Sequence, residues 1–102
     1  LKEIKMSLKE ETVQDQIEIV GDYKIVQVRT ATIIKRDGVE IAGSRSFHRY
    51  SLVIGFLDPS DNLVETDISA EPAEVQAVCN AVWTTDIKSA YKDMLIAQKE
   101  VA

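Results

Sequence analysis

The chain is poor in the residues that most chemistry at protein sites requires. Its 102 residues include one cysteine, one histidine, two prolines and four glycines. A lone cysteine forms no internal disulfide, which fits a reducing compartment. There is no C-x-x-C, no H-E-x-x-H and no G-x-S-x-G elbow, so neither a zinc site nor a serine nucleophile has its usual framework. No apolar run approaches the ~18 residues of a membrane helix. Leu1–Lys5 is too charged for a signal peptide, and Met6 is a candidate initiator, so residues 1–5 read as a tag or read-through remnant. No repeat, linker or low-complexity segment interrupts the chain. These features point to a small single domain over 1–102, with no cofactor, no membrane partner and no catalytic residues.

What is present is ordinary in amount and uneven in placement. Hydrophobic residues make up 45% of the chain, enough for one modest core. The net charge is −5, but six basic residues against three acidic ones make Asp22–Phe56 net +3. The remainder holds six basic and fourteen acidic residues, net −8. Such asymmetry marks one face as a candidate partner surface.

Residues 1–12 read as a tail or short helix, since Leu1, Ile4 and Leu8 recur at helical spacing. From 13 to 68 the texture is β. Ile17, Ile19, Tyr23, Ile25, Val26, Val28, Thr30, Thr32, Ile33 and Ile34 suit a pleated surface. Gly21-Asp22 is a turn, and Asp37-Gly38 predicts a type I′ hairpin between arms Tyr23–Lys35 and Val39–Phe56. Both arms exceed the usual ~5–6 residues, and both change phase. Val26 and Val28 hold one face, whereas Ala31 and Ile33 hold the other. Val39, Ile41 and Phe47 are in phase, but Tyr50, Leu52, Ile54 and Phe56 belong to the opposite set. A phase change implies a bulge or bend, with Gly43 the natural place on the second arm. A hairpin bent on both arms curls toward a small, partly open barrel. Leu63–Asp67 adds a short edge strand.

The segment 69–100 reads as helical. Ser69 is a candidate cap, Pro72 suits the first turn, and Val75, Val78, Cys79, Val82 and Trp83 form one apolar stripe. Thr84-Thr85-Asp86 marks a break with a new N-cap, after which Ile87, Ala90, Tyr91, Met94 and Leu95 repeat the stripe. The fold class is therefore α+β: a strongly bent antiparallel sheet with C-terminal helices.

One stretch stands out for binding. SRSFHRYS (44–51) interleaves cations with aromatics, as a single-stranded nucleic-acid surface does. With Arg29 it gives Arg45, His48, Arg49 and Tyr50 as candidate contacts to nucleic acid or a partner. Alternation sets Arg45, Phe47 and Arg49 on one face and His48 and Tyr50 on the other. The plainer reading is a bent strand with Phe47 and Tyr50 inward and the arginines in water. Asp58, Asp61, Glu65 and Asp67 lack the spacing of a calcium loop and read as a solvated loop. Cys79, on the apolar stripe, reads as a small core residue, and Trp83 as packed against the sheet.

VRTATIIKRDGVEIAGSRSFHRYSL followed by VQAVCNAVWTTDIKSAY resembles small phage-encoded proteins, cyanophage ones among them, and within these the Sm-like (LSm-type) proteins. The resemblance spans roughly residues 13–95. It implies a strongly bent small barrel that joins edge to edge into a homo-oligomeric ring. It further implies a structural or interaction role, with RNA or another phage or host protein as partner, in the cytoplasm of an infected bacterium or on the virion. It transfers no RNA-binding residue: Arg45 follows Gly43-Ser44 rather than preceding a glycine, and the helices follow the sheet instead of preceding it.

Overall fold

The computed structural model describes residues 7–101. Six strands precede two helices: β1 (Leu8–Val20), β2 (Ile25–Arg36), β3 (Val39–Glu40), β4 (Ser46–Leu52), β5 (Gly55–Leu57), β6 (Leu63–Glu65), α1 (Ala73–Val82) and α2 (Thr85–Val101). In the four-stranded sheet β1 pairs with β2, and β2 pairs in turn with β3 and β4; β5 and β6 form a separate pair. The architecture is α+β with antiparallel strands, and the sheets are open. Contacts group the chain into two compact units, the first holding the chain up to Gln16 with Val28–Tyr50, the second Ile17–Gln27 with the chain from Ser51 on.

The Asp37-Gly38 turn forms as its dipeptide predicts. Both residues have positive φ, 51° and 83°, and Lys35 faces Glu40 while Arg36 faces Val39. Asp37 donates its N–H to the Ser7 carbonyl at 2.9 Å, and its carboxylate accepts the Ser7 N–H at 3.2 Å. The phase change on β2 is visible in its burial: Val26 and Val28 are buried, then Ala31 and Ile33. The covered face switches at Arg29-Thr30, where an extra residue enters the alternation. On the return arm the change is larger than a bend, because the expected Val39–Phe56 strand divides into β3, β4 and β5. Gly43, at φ 76°, takes the first of these breaks.

Three expectations are corrected. Residues 8–12, read as tail or helix, belong to β1; residues 1–6 lie outside the described residues. The strand wins because its carboxylates meet cations of β2, with Lys35 Nζ 3.0 Å from Glu11 Oε2 and Arg29 paired with Asp15. Phe47 does not turn inward. It is 50% exposed, and the Arg29 guanidinium covers its ring from 4.5 Å. Ser69 does not cap α1: the helix starts at Ala73 with Pro72 in the N-cap position and no side-chain cap bond, while the Ser69 N–H bonds Asp67 Oδ1 at 2.9 Å.

The second unit holds the larger core, with Val26, Ile54, Val75, Cys79, Trp83 and Tyr91 buried. Val75, Cys79 and Trp83 fall at i, i+4 and i+8, the stripe that faces inward. Trp83 Nε1 donates to the Lys24 carbonyl at 2.7 Å, so the indole both fills the core and fixes the turn after β1. Tyr91 packs edge-on against Tyr23, with ring centroids 5.8 Å apart, and donates its hydroxyl to the Gly55 carbonyl at 3.0 Å. At the break between the helices Thr84 Oγ1 accepts the Ile87 N–H at 3.3 Å, as the N-cap reading requires.

The first unit is thinner. Its buried apolar residues are Val28, Ala31 and Ile33, whereas Leu8, Val13, Ile34, Val39 and Phe47 are exposed.

Candidate functional site

The arginine-rich stretch is brought together with acids the sequence reading did not associate with it. Asp15 of β1 stands between Arg29 of β2 and Arg45, with Arg45 Nη1 3.2 Å from Asp15 Oδ1 and Arg29 Nη2 against the other carboxylate oxygen. Arg45 also makes a two-point fork onto Glu40, Nε to Oε2 at 2.8 Å and Nη2 to Oε1 at 2.9 Å. This fork matches guanidinium to carboxylate geometry. Its hydrogen bonds hold the Glu40 carboxyl below the ordinary carboxylate range and raise the Arg45 guanidinium. Two of the five candidate contacts are thus spent on internal acids.

His48 and Tyr50 form a separate pair on β4, with centroids 6.1 Å apart and rings tilted by 31°. Thr30 Oγ1 donates to the His48 carbonyl at 3.4 Å, tying this stretch to β2. Arg49, between the two rings in sequence, is exposed. The five candidates therefore make no continuous platform: Arg29 and Arg45 belong with Asp15, Glu40 and Phe47, and His48 with Tyr50. Asp15 and Arg45 are thirty residues apart in sequence and meet in a sheet where β1 and β4 both pair with β2, so no local signal announces them.

No family model, curated protein or solved structure matches the chain. What the site does rests on its chemistry.

The acidic loop is likewise committed, each carboxylate to a different partner. Asp58 accepts the N–H groups of Ser60 and Asn62 at 2.8 and 2.9 Å, Asp61 pairs with Lys99, and Lys88 Nζ lies 2.6 Å from Glu65 Oε1. Asp67 accepts from Ser69. Among the described residues no group of three or more His, Cys, Asp or Glu is placed to hold a metal.

The depressed carboxyls are Glu11, held by the Lys35 ammonium, Glu40 by Arg45, Asp58 first by the Asn62 N–H, and Asp67 by the Ser69 hydroxyl and N–H. Because these values lie lower in the folded chain, their stabilisation is complete above the ordinary carboxylate range. It is lost as pH falls through the lowered values.

Cys79 is fully buried, and burial followed by the Glu71 charge pushes its thiol up, away from the thiolate a nucleophile needs. His48 is exposed beside Tyr50.

Proposed function

We propose that the chain is a non-enzymatic structural or interaction module that associates with copies of itself through its sheet edges. The observation that carries this reading is β1, thirteen residues long, at the end of the strand order. A long edge strand presents a row of backbone donors and acceptors that another chain can pair with. The exposed Leu8, Val13 and Val39 of the first unit support it, since apolar surface left open on a thin sheet is available to a partner. The Sm-like reading belongs to the same proposal: a partly open barrel joined edge to edge into a ring, supported by the parity switch on β2 and the break at Gly43. Light scattering during size-exclusion chromatography tests it. The expected mass is a multiple of the 11.4 kDa chain at micromolar concentration; a constant mass of one chain contradicts the proposal.

The His48–Tyr50 pair and the exposed Arg49 favour a second reading, a ring that binds single-stranded RNA by stacking and phosphate contact. Against it stand Asp15 and Glu40, which neutralise Arg45 and, with it, Arg29. Titration of labelled single-stranded RNA at two salt concentrations separates the readings. The expected result is no binding even at low salt, where phosphate-driven affinity is greatest. Affinity that falls with salt at a slope matching about three phosphates establishes the RNA reading instead.

A further inference from the structure

β1 is long, yet none of its residues is buried. The buried apolar residues of the first unit, Val28, Ala31 and Ile33, all belong to β2. The first half of β1 therefore docks without an apolar anchor of its own. Beside its backbone ladder it is tied by charge. Glu11 Oε2 lies 3.0 Å from Lys35 Nζ, and Asp15 pairs with Arg29 and, at 3.2 Å, with Arg45. Arg45 in turn forks onto Glu40. Lys9, the one lysine of β1, lies 3.8 Å from Glu11 Oε1. Glu11 and Asp15 are four residues apart, so alternation sets both on one face of the strand. Beyond Gln16 the attachment changes character. Residues Ile17–Gln27 group with the second unit, where Val26 is buried, Tyr23 packs against Tyr91 and the Lys24 carbonyl is held by Trp83. One strand thus passes from an ionic attachment to an apolar one.

We infer that residues 8–16 form an ionic clasp, which lifts off β2 when its charges are screened or neutralised while the second unit stays folded. Segments with few buried contacts are the ones that open locally. Ion pairs as exposed as these stabilise weakly one by one and respond to salt. A strand without an apolar anchor takes its local stability from several of them acting together, so screening acts on it first. Release bares the β2 edge that β1 covers, and frees Arg29, Lys35 and Arg45 from the β1 carboxylates in one step. The Glu11 carboxyl, lowered by Lys35, and the Glu40 carboxyl, lowered by Arg45, agree in sign. The clasp is complete above the ordinary carboxylate range and weakens as pH falls through the lowered values. It acts within one chain and is independent of self-association.

Hydrogen–deuterium exchange on dilute protein, at about 0.05 M and about 1 M sodium chloride, tests the clasp, since at 1 M charges are screened beyond about 3 Å. The expected result is protection of residues 8–16 that falls about fivefold or more at the higher salt, with α1 unchanged. Glu11→Gln with Asp15→Asn keeps side-chain shape and removes the charge. At low salt this double variant should already show the lowered protection of residues 8–16, and added salt should then change it little. Circular dichroism establishes that it folds; where it does not, the salt series on the unaltered chain decides. Protection of residues 8–16 that is equal at the two salt concentrations overturns the clasp. So does a folded double variant as well protected there as the unaltered chain, or a loss of protection that α1 shares.

Discussion

Replacing Trp83 with alanine is expected to lower the unfolding free energy by about 3–5 kcal/mol, the range for removing a large aromatic side chain from a core. Two losses combine. The indole is buried at 7% exposure, in a core with Val75 and Cys79, and its N–H satisfies the Lys24 carbonyl at 2.7 Å. Lys24 itself has φ 51°, a conformation disfavoured for a residue with a side chain, so the turn depends on outside support. Trp83→Phe separates the two contributions by retaining most of the apolar volume while leaving the carbonyl unpaired. It should cost about 1–3 kcal/mol, the penalty of one unsatisfied polar group. Urea denaturation followed by circular dichroism measures both, since the substitution removes the chain's one tryptophan. Against total stabilities of about 5–15 kcal/mol, this loss removes from about a fifth of the stability to all of it.

Gly55→Ala is expected to be nearly as damaging, at about 3 kcal/mol, the upper end for overpacking. A Cβ at this position would lie 2.2 Å from the Val64 carbonyl oxygen, 2.9 Å from its carbon and 3.0 Å from the Glu65 Cα. All three are backbone atoms of β6, so no side-chain rotation relieves the clash. The β5–β6 pair must separate, taking with it the Gly55 carbonyl that Tyr91 holds. Gly43→Ala is the informative comparison. There the space is open, and the cost comes from φ 76° alone, about 1–2 kcal/mol. A Gly55 variant no worse than the Gly43 variant would mean that the two strands of this hairpin do not approach as closely as described.

Local signals were legible where a few neighbouring residues decide the conformation. Asp37-Gly38 needs only two positive φ values and a matching pair of strands, and the helix break at Thr84 needs only a hydroxyl three residues before a free N–H. The α1 stripe was legible because Val75, Cys79 and Trp83 bury one face of a regular helix. Where distant residues decide, the sequence misled. Leu1, Ile4 and Leu8 suggest a helix, yet residues 8–12 extend because Glu11 and Asp15 find Lys35 and Arg29 on the neighbouring strand, far along the sequence. Alternation alone sets Phe47 inward; the Arg29 guanidinium offers its ring a different cover. The candidate contacts suffered most from this effect. Arg29 and Arg45 look like free cations in sequence, and only the folded sheet, with β1 and β4 both on β2, shows that Asp15 lies between them. The acidic loop shows the converse: Asp58 and Asp67 bond N–H groups two to four residues on, a turn chemistry that short-range spacing does contain.

Self-association through strand edges can be read directly from the backbone. Hydrogen–deuterium exchange with mass spectrometry, run on concentrated and on dilute protein, follows the amides at those edges. If copies pair as proposed, amides of Leu8–Val20 exchange more slowly in the concentrated sample, while those of α1 exchange alike in both. Identical exchange in β1 at the two concentrations would show that this edge stays unpaired.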